Sequence, residues 1–145
     1  MKSMLHMVIC MASLLPRLAA AYDYDIATGK VIVASSDPYI IYGTSTVNTI
    51  TVKTGVAVAN VTISNLNIQV TNRFLSAFSV ASNATLNLSL VGSNFLMSGR
   101  YKAAIEVPAG ATLNITNGDA NGMLTAMGGG NGAGIGSAKD KKPGR

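Results

Sequence analysis

Only one cysteine and one histidine occur in the 145 residues, Cys10 and His6, and tryptophan is missing altogether. Both residues sit in a stretch that reads as a signal peptide. Lys2 supplies the basic start, Met4 to Leu15 the apolar run, and Ala19 and Ala21 the small residues at which a leader peptidase reads A-x-A. Cleavage after Ala21 is expected, and it removes both side chains. The mature chain then has no disulfide, no Cys or His metal site, no cysteine nucleophile and no Ser-His-Asp arrangement. The apolar run stops at Pro16-Arg17, short of the about 20 residues needed to cross hydrocarbon. No membrane span is expected in the mature chain, and the destination is secretion or the cell surface.

Charge is also scarce, and its placement decides what it means. The net charge of +5 comes from the two ends: Lys2 and Arg17 in the leader, then Lys139, Lys141, Lys142 and Arg145 against Asp140. The body from Tyr22 to Ala138 is neutral. A neutral body is a poor surface for releasing counterions from a polyphosphate, which argues against a nucleic-acid partner. The chain divides into a signal peptide at 1–21, one domain at 22–138 and a basic polar tail at 139–145. One domain is what this length supports.

Helical stripes are lacking outside the leader; what is present is a repeat. Sliding the sequence by 27 pairs Arg73 with Arg100, Ala77 with Ala104, Val80 with Val107, and Ala84-Thr85-Leu86-Asn87 with Ala111-Thr112-Leu113-Asn114. The same step relates Asn67, Asn94 and Asn121. Within each unit apolar residues alternate with polar ones: Ala84, Leu86, Leu88 and Leu90 lie on one side, and Thr85, Asn87 and Ser89 on the other. Period two marks a strand with one buried face. Clusters of Gly, Asn, Ser and Asp cut each unit into several short strands.

Short strands recurring at this interval leave no room for helical crossovers, so each must stack on its equivalent one winding earlier. The expected fold is all-β, a parallel β-helix of roughly three to four rungs. Leu86 should then lie on Leu113 and Phe78 on Ile105. Asn67, Asn94 and Asn121 are expected to form an internal amide ladder that also satisfies turn carbonyls.

Units of the form GATLNI followed by GNGAGIG resemble the repeats of secreted or surface-attached bacterial proteins with right-handed, pectin-lyase-like β-helices, often described as carbohydrate-binding. YIIYGTSTVNTITV resembles their first rung, and the likeness runs from about Tyr39 to Gly136. It implies a right-handed coil. It implies little about activity, because that scaffold carries lyases, hydrolases, adhesins and passive stalks. Lys102-Ala103-Ala104-Ile105 is echoed by Gly132-Ala133-Gly134-Ile135, so a further rung begins near the end of the chain. The expectation is an incomplete solenoid with an open end prone to self-association.

The search for chemistry yields little. MGGGNGAGIG contains no G-x-G-x-x-G and no G-K-[ST], so it reads as a tight rung and not a phosphate loop. Glycosidase chemistry needs two acids facing each other across roughly 5 to 9 Å. At the repeat offset Glu106 falls on Ser79 and Asp119 on Gly92, which pairs no carboxylates, and Asp23 and Asp25 sit at the very start of the domain. Sequons at Asn60, Asn83, Asn87 and Asn114 arise readily from a strand alphabet of Asn, Thr and Ser. No catalytic residue, cofactor or metal ligand is assigned.

The paired feature with binding character is Arg73-Phe74 with Arg100-Tyr101, two guanidinium groups one rung apart beside stacked rings. Such a pair suits an acidic sugar. The sequence therefore predicts a non-catalytic secreted or cell-surface module acting as a stalk, an adhesin segment or a surface for polysaccharide or host-cell glycan. The alternative is the N-terminal part of a polysaccharide lyase or glycoside hydrolase.

Overall fold

The computed structural model describes residues 20–137. Residues 1–19 and 138–145, which hold nearly all of the expected signal peptide and the whole basic tail, lie outside the described residues. Among the described residues twelve strands follow one another in chain order. The first short winding carries β1 (Tyr22–Asp25) and β2 (Val31–Val33), and the second carries β3 (Pro38–Ser45) and β4 (Ile50–Val52). The next holds β5 (Val58–Gln69) and β6 (Phe78–Ser79), followed by β7 (Thr85–Val91), β8 (Ser93–Met97) and β9 (Ile105–Glu106). The last holds β10 (Thr112–Asn117), β11 (Met123–Met127) and β12 (Ile135–Gly136).

Every strand pair is parallel. One face stacks β1, β3, β5, β7 and β10, and another stacks β2, β4, β6, β9 and β12. The far ends of β3 and β5 bend onto a third face, which β8 and β11 continue. The result is the all-β parallel solenoid that the repeat predicts, about three full turns long. No helix among the described residues is long and apolar enough to cross a membrane.

Period-two alternation builds the core. Tyr39, Val61, Leu88 and Ile115 form one inward column, and Val31, Ile50, Phe78, Ile105 and Ile135 form another. The expected contacts of Leu86 with Leu113 and of Phe78 with Ile105 are in register. Each fully buried side chain of this kind contributes about 1.5 to 3 kcal/mol before the entropy of ordering is set against it.

Turns close the windings by recurring chemistry. Lys53–Val56, Ala81–Ala84 and Pro108–Ala111 each close with a backbone hydrogen bond between first and fourth residues, at 3.2, 3.2 and 3.1 Å. Their third residues, Gly55, Asn83 and Gly110, have φ of 95°, 63° and 78°. This is the type II geometry, which requires a residue tolerant of positive φ at that position.

The asparagine ladder differs from expectation. Asn67 lies opposite Phe95, and Asn94 opposite Leu124, so Asn67, Asn94 and Asn121 do not stack. The cause is the corner before the third face. There three residues, Gly92 to Asn94, lie between Val91 and Phe95 where only Asn65 and Leu66 lie between their partners Ser64 and Asn67, which shifts the register. One winding earlier Asn65, with φ 48°, is itself inserted where β3 runs directly from Tyr42 to Gly43. On this face the later windings take longer steps, from Asn67 to Phe95 and from Phe95 to Thr125, than the repeat prescribes. The first face keeps the repeat step, with Asn60 on Asn87 and Asn87 on Asn114. A ladder does exist there, at those three residues. Asn114 Nδ2 donates to Asn87 Oδ1 and Asn87 Nδ2 to Asn60 Oδ1, both at 3.0 Å. Asn60 Nδ2 ends the run on the Ser36 carbonyl at 2.9 Å.

Candidate functional site: a cationic and aromatic corner

The chain leaves the third face through two stacked β-turns, Asn72–Leu75 and Gly99–Lys102, each closed by its own backbone hydrogen bond at 3.2 and 3.1 Å. Arg73-Phe74 and Arg100-Tyr101 are the central dipeptides of these turns. The Asn72 carboxamide tightens the first by accepting from the Phe74 N–H at 3.0 Å. Backbone bonds tie one turn to the next: Tyr101 N–H donates to the Arg73 carbonyl at 3.1 Å, and Gly99 N–H to the Leu75 carbonyl at 2.9 Å. Equivalent side chains are therefore held one winding apart by the backbone itself.

The four side chains that the sequence singles out come together here. The rings of Phe74 and Tyr101 stack with centroids 5.9 Å apart and planes 25° from parallel. Each arginine lies over the ring that follows it, Arg73 at 5.2 Å and Arg100 at 5.6 Å from the centroid. Phe74 is 58% exposed, so this apolar surface faces water. Thr71, Asn72, Arg73 and Phe74 line a shallow open depression beside it. In the next winding Gly130 takes the arginine position and Asn131 the ring position, and Gly130 lies against the Arg100 side chain. The row ends there.

Four residues assigned no role at this corner by the sequence, Ser76, Ser98, Lys102 and Glu106, brace it from behind. Glu106 Oε2 accepts from the Ser76 hydroxyl at 2.9 Å and pairs with Lys102 Nζ at 3.2 Å. Ser98 Oγ donates to the Lys102 carbonyl and accepts from Gly129 N–H at 2.9 Å. A Lys and a Glu four apart read as a helical pair in sequence, and here they meet across a turn into a strand, so no local signal announced them. The consequence is electrostatic. Lys102 is neutralised, whereas among the described residues neither Arg73 nor Arg100 makes an ion pair. Two uncompensated guanidinium groups beside two ring faces can grip a planar anion by paired hydrogen bonds and accept an apolar sugar face by stacking.

The other candidate residues lie elsewhere. Asn94 is buried in the corner before the third face, where its Oδ1 accepts from Leu66 N–H at 2.9 Å. Its Nδ2 donates to the carbonyls of Val91, Gly92 and Met123, so it satisfies turn carbonyls without laddering to another asparagine. Asn67 accepts from Gln69 Nε2 at 3.1 Å, and Asn121 N–H donates to Asp119 Oδ1 at 3.0 Å. Asp25 closes a turn by accepting from Ala27 N–H at 2.9 Å. Among the described residues no group of three or more His, Cys, Asp or Glu converges as a metal site would require. Set against known protein families, curated proteins and solved structures, the chain finds no match.

Proposed function

We propose that this protein is a non-catalytic, exported solenoid module, a stalk or adhesin segment, whose cationic and aromatic corner contacts acidic glycans. The observation that supports this reading is the stacked pair of Arg-aromatic turns, exposed and free of carboxylate partners among the described residues. Its rigid spacing suits a polymer that presents carboxylates at intervals. The resemblance of the GATLNI and GNGAGIG units to surface-attached bacterial β-helix repeats points the same way.

Retention on immobilised polygalacturonate or alginate, with neutral dextran as control, tests the reading. Binding to the acidic polymers should fall with salt, and the double variant Arg73→Ala with Arg100→Ala should weaken it about tenfold or more, given that each charge-assisted contact contributes about 1.5 to 3 kcal/mol. Unchanged retention of the double variant removes the site. Appearance of new reducing ends or unsaturated uronides in the same incubations would instead identify a polysaccharide-cleaving enzyme.

A further inference from the structure

The cationic and aromatic corner offers a ligand donors, while its acceptors are largely spent. The backbone carbonyls of Asn72, Arg73, Gly99 and Arg100 already accept the N–H groups of Leu75, Tyr101, Lys102 and Asn131, at 3.2, 3.1, 3.1 and 3.0 Å. Asn72 Oδ1 is taken too, because it accepts from Phe74 N–H at 3.0 Å. That bond fixes which way the amide faces. With Oδ1 turned to the backbone, Nδ2 of this exposed residue points outward, and it has no partner among the described residues. What remains for a ligand is two guanidinium groups, neither of them ion-paired among the described residues, and one neutral amide donor.

The placement of these donors is held by the turns. Asn72 and Arg73 are consecutive and line the same open depression. Arg100 stands one winding further on, about 4.8 Å along the solenoid. Its side chain lies across Gly130, where a Cβ would come within 2.7 Å of Arg100 Cγ. Gly130 also has φ of 43°, which glycine adopts at no steric cost. The bare floor at Gly130 leaves room for the Arg100 guanidinium to stay over the Tyr101 ring.

We propose that the group gripped here is a tetrahedral oxyanion ester, a sulfate or phosphate carried on a sugar, in preference to a carboxylate. The proposal rests on the reading of this corner as an acidic-glycan contact and narrows it. A carboxylate is planar and has two oxygens, which a single guanidinium fork occupies. The second arginine and the Asn72 amide must then share lone pairs already in use. A sulfate or phosphate monoester has three terminal oxygens pointing in three directions. It can face Arg73 and Arg100 on adjacent windings and take the Asn72 amide on the oxygen left over. Nothing nearby opposes the charge, since Glu106, which braces the corner, is itself paired with Lys102. The sugar that carries the ester meets the exposed ring of Phe74, which is stacked on Tyr101.

Dextrans substituted to one common degree with sulfate, phosphate or carboxymethyl groups, with unmodified dextran as control, test the proposal on the unaltered chain. Sulfate ester and carboxylate carry equal charge, so that pair reads geometry alone. Sulfate and phosphate dextrans should each be retained about tenfold more tightly than carboxymethyl dextran at the same salt, the effect of one further charge-assisted hydrogen bond. Asn72→Ser keeps a side-chain oxygen for Phe74 N–H and removes the outward amide. It should bring sulfate retention down to the carboxymethyl level with β-type circular dichroism retained. The basic tail at 139–145 is common to both forms, so a preference that disappears in Asn72→Ser does not come from it. Equal retention of sulfate and carboxymethyl dextrans, a gain confined to the doubly charged phosphate, or a sulfate preference that survives Asn72→Ser would each overturn the proposal and leave the acidic-glycan reading standing. Retention of no acidic dextran above the unmodified one, or retention that Arg73→Ala with Arg100→Ala leaves unchanged, would instead remove that reading and the proposal with it.

Discussion

Asn94 is 1% exposed and engages both ends of its amide, accepting from one winding and donating to the next. Replacing it by alanine strands a buried N–H and several carbonyls, each costing about 1 to 3 kcal/mol, so Asn94→Ala should lower stability by about 3 kcal/mol or more. Asn87 carries two ladder bonds but is only half-buried, and water replaces them readily. Asn87→Ala should cost about 1 kcal/mol. Urea denaturation ranks the two, and an equal or reversed order would contradict the assignment of Asn94 as the buried corner post. Gly92 makes a third case: its φ is 64°, and a Cβ there would collide with Asn65 Oδ1. Gly92→Ala should lose about 1 to 3 kcal/mol by the same measurement. The ladder was legible in principle, since Asn60, Asn87 and Asn114 share the repeat step and the outward positions of matching strands. Asn67, Asn94 and Asn121 share that step too, and nothing local distinguishes a face that keeps the period from one that does not.

The strands themselves follow from alternation, which is why the first face matches its expected register. The repeated Ala-Thr-Leu-Asn phrase lies in β7 and β10 and at the turns that lead into them, and its partners align residue for residue. Leu86, fully buried between Ala59 and Leu113, tests the packing of these elements. Leu86→Ala should cost about 2 to 5 kcal/mol through lost contacts and the cavity left behind. Leu86→Asp should unfold the windings on either side; an unchanged melting curve for that variant is incompatible with the register. The shorter windings of β1 to β4 were not legible, because they share no phrase with the later ones. Their steps, from Tyr22 to Tyr39, Val31 to Ile50 and Tyr39 to Val61, also differ from one another and from the repeat. Their tyrosine cluster does not follow from any repeat. The Arg-aromatic turns were legible because both dipeptides fall on the repeat step, whereas the Ser76, Lys102 and Glu106 contacts depend on how two turns fold over each other.

In the whole molecule each winding touches only its neighbours, so stability is a sum of adjoining layers and falls towards an uncovered end. Backbone amides in β10 and β12 should exchange with opening free energies well below those in β5 and β7, which have windings on both sides. Uniform protection along the solenoid would mean that the layers open as one unit. The corners add a property the faces cannot have. One extra residue at Asn65 bends the chain and leaves Ile41 over Ile63 and Ser45 over Ile68. Length changes are absorbed at such bends without propagating along the stack, so they are the places where a foreign peptide could be grafted while every column keeps its alignment.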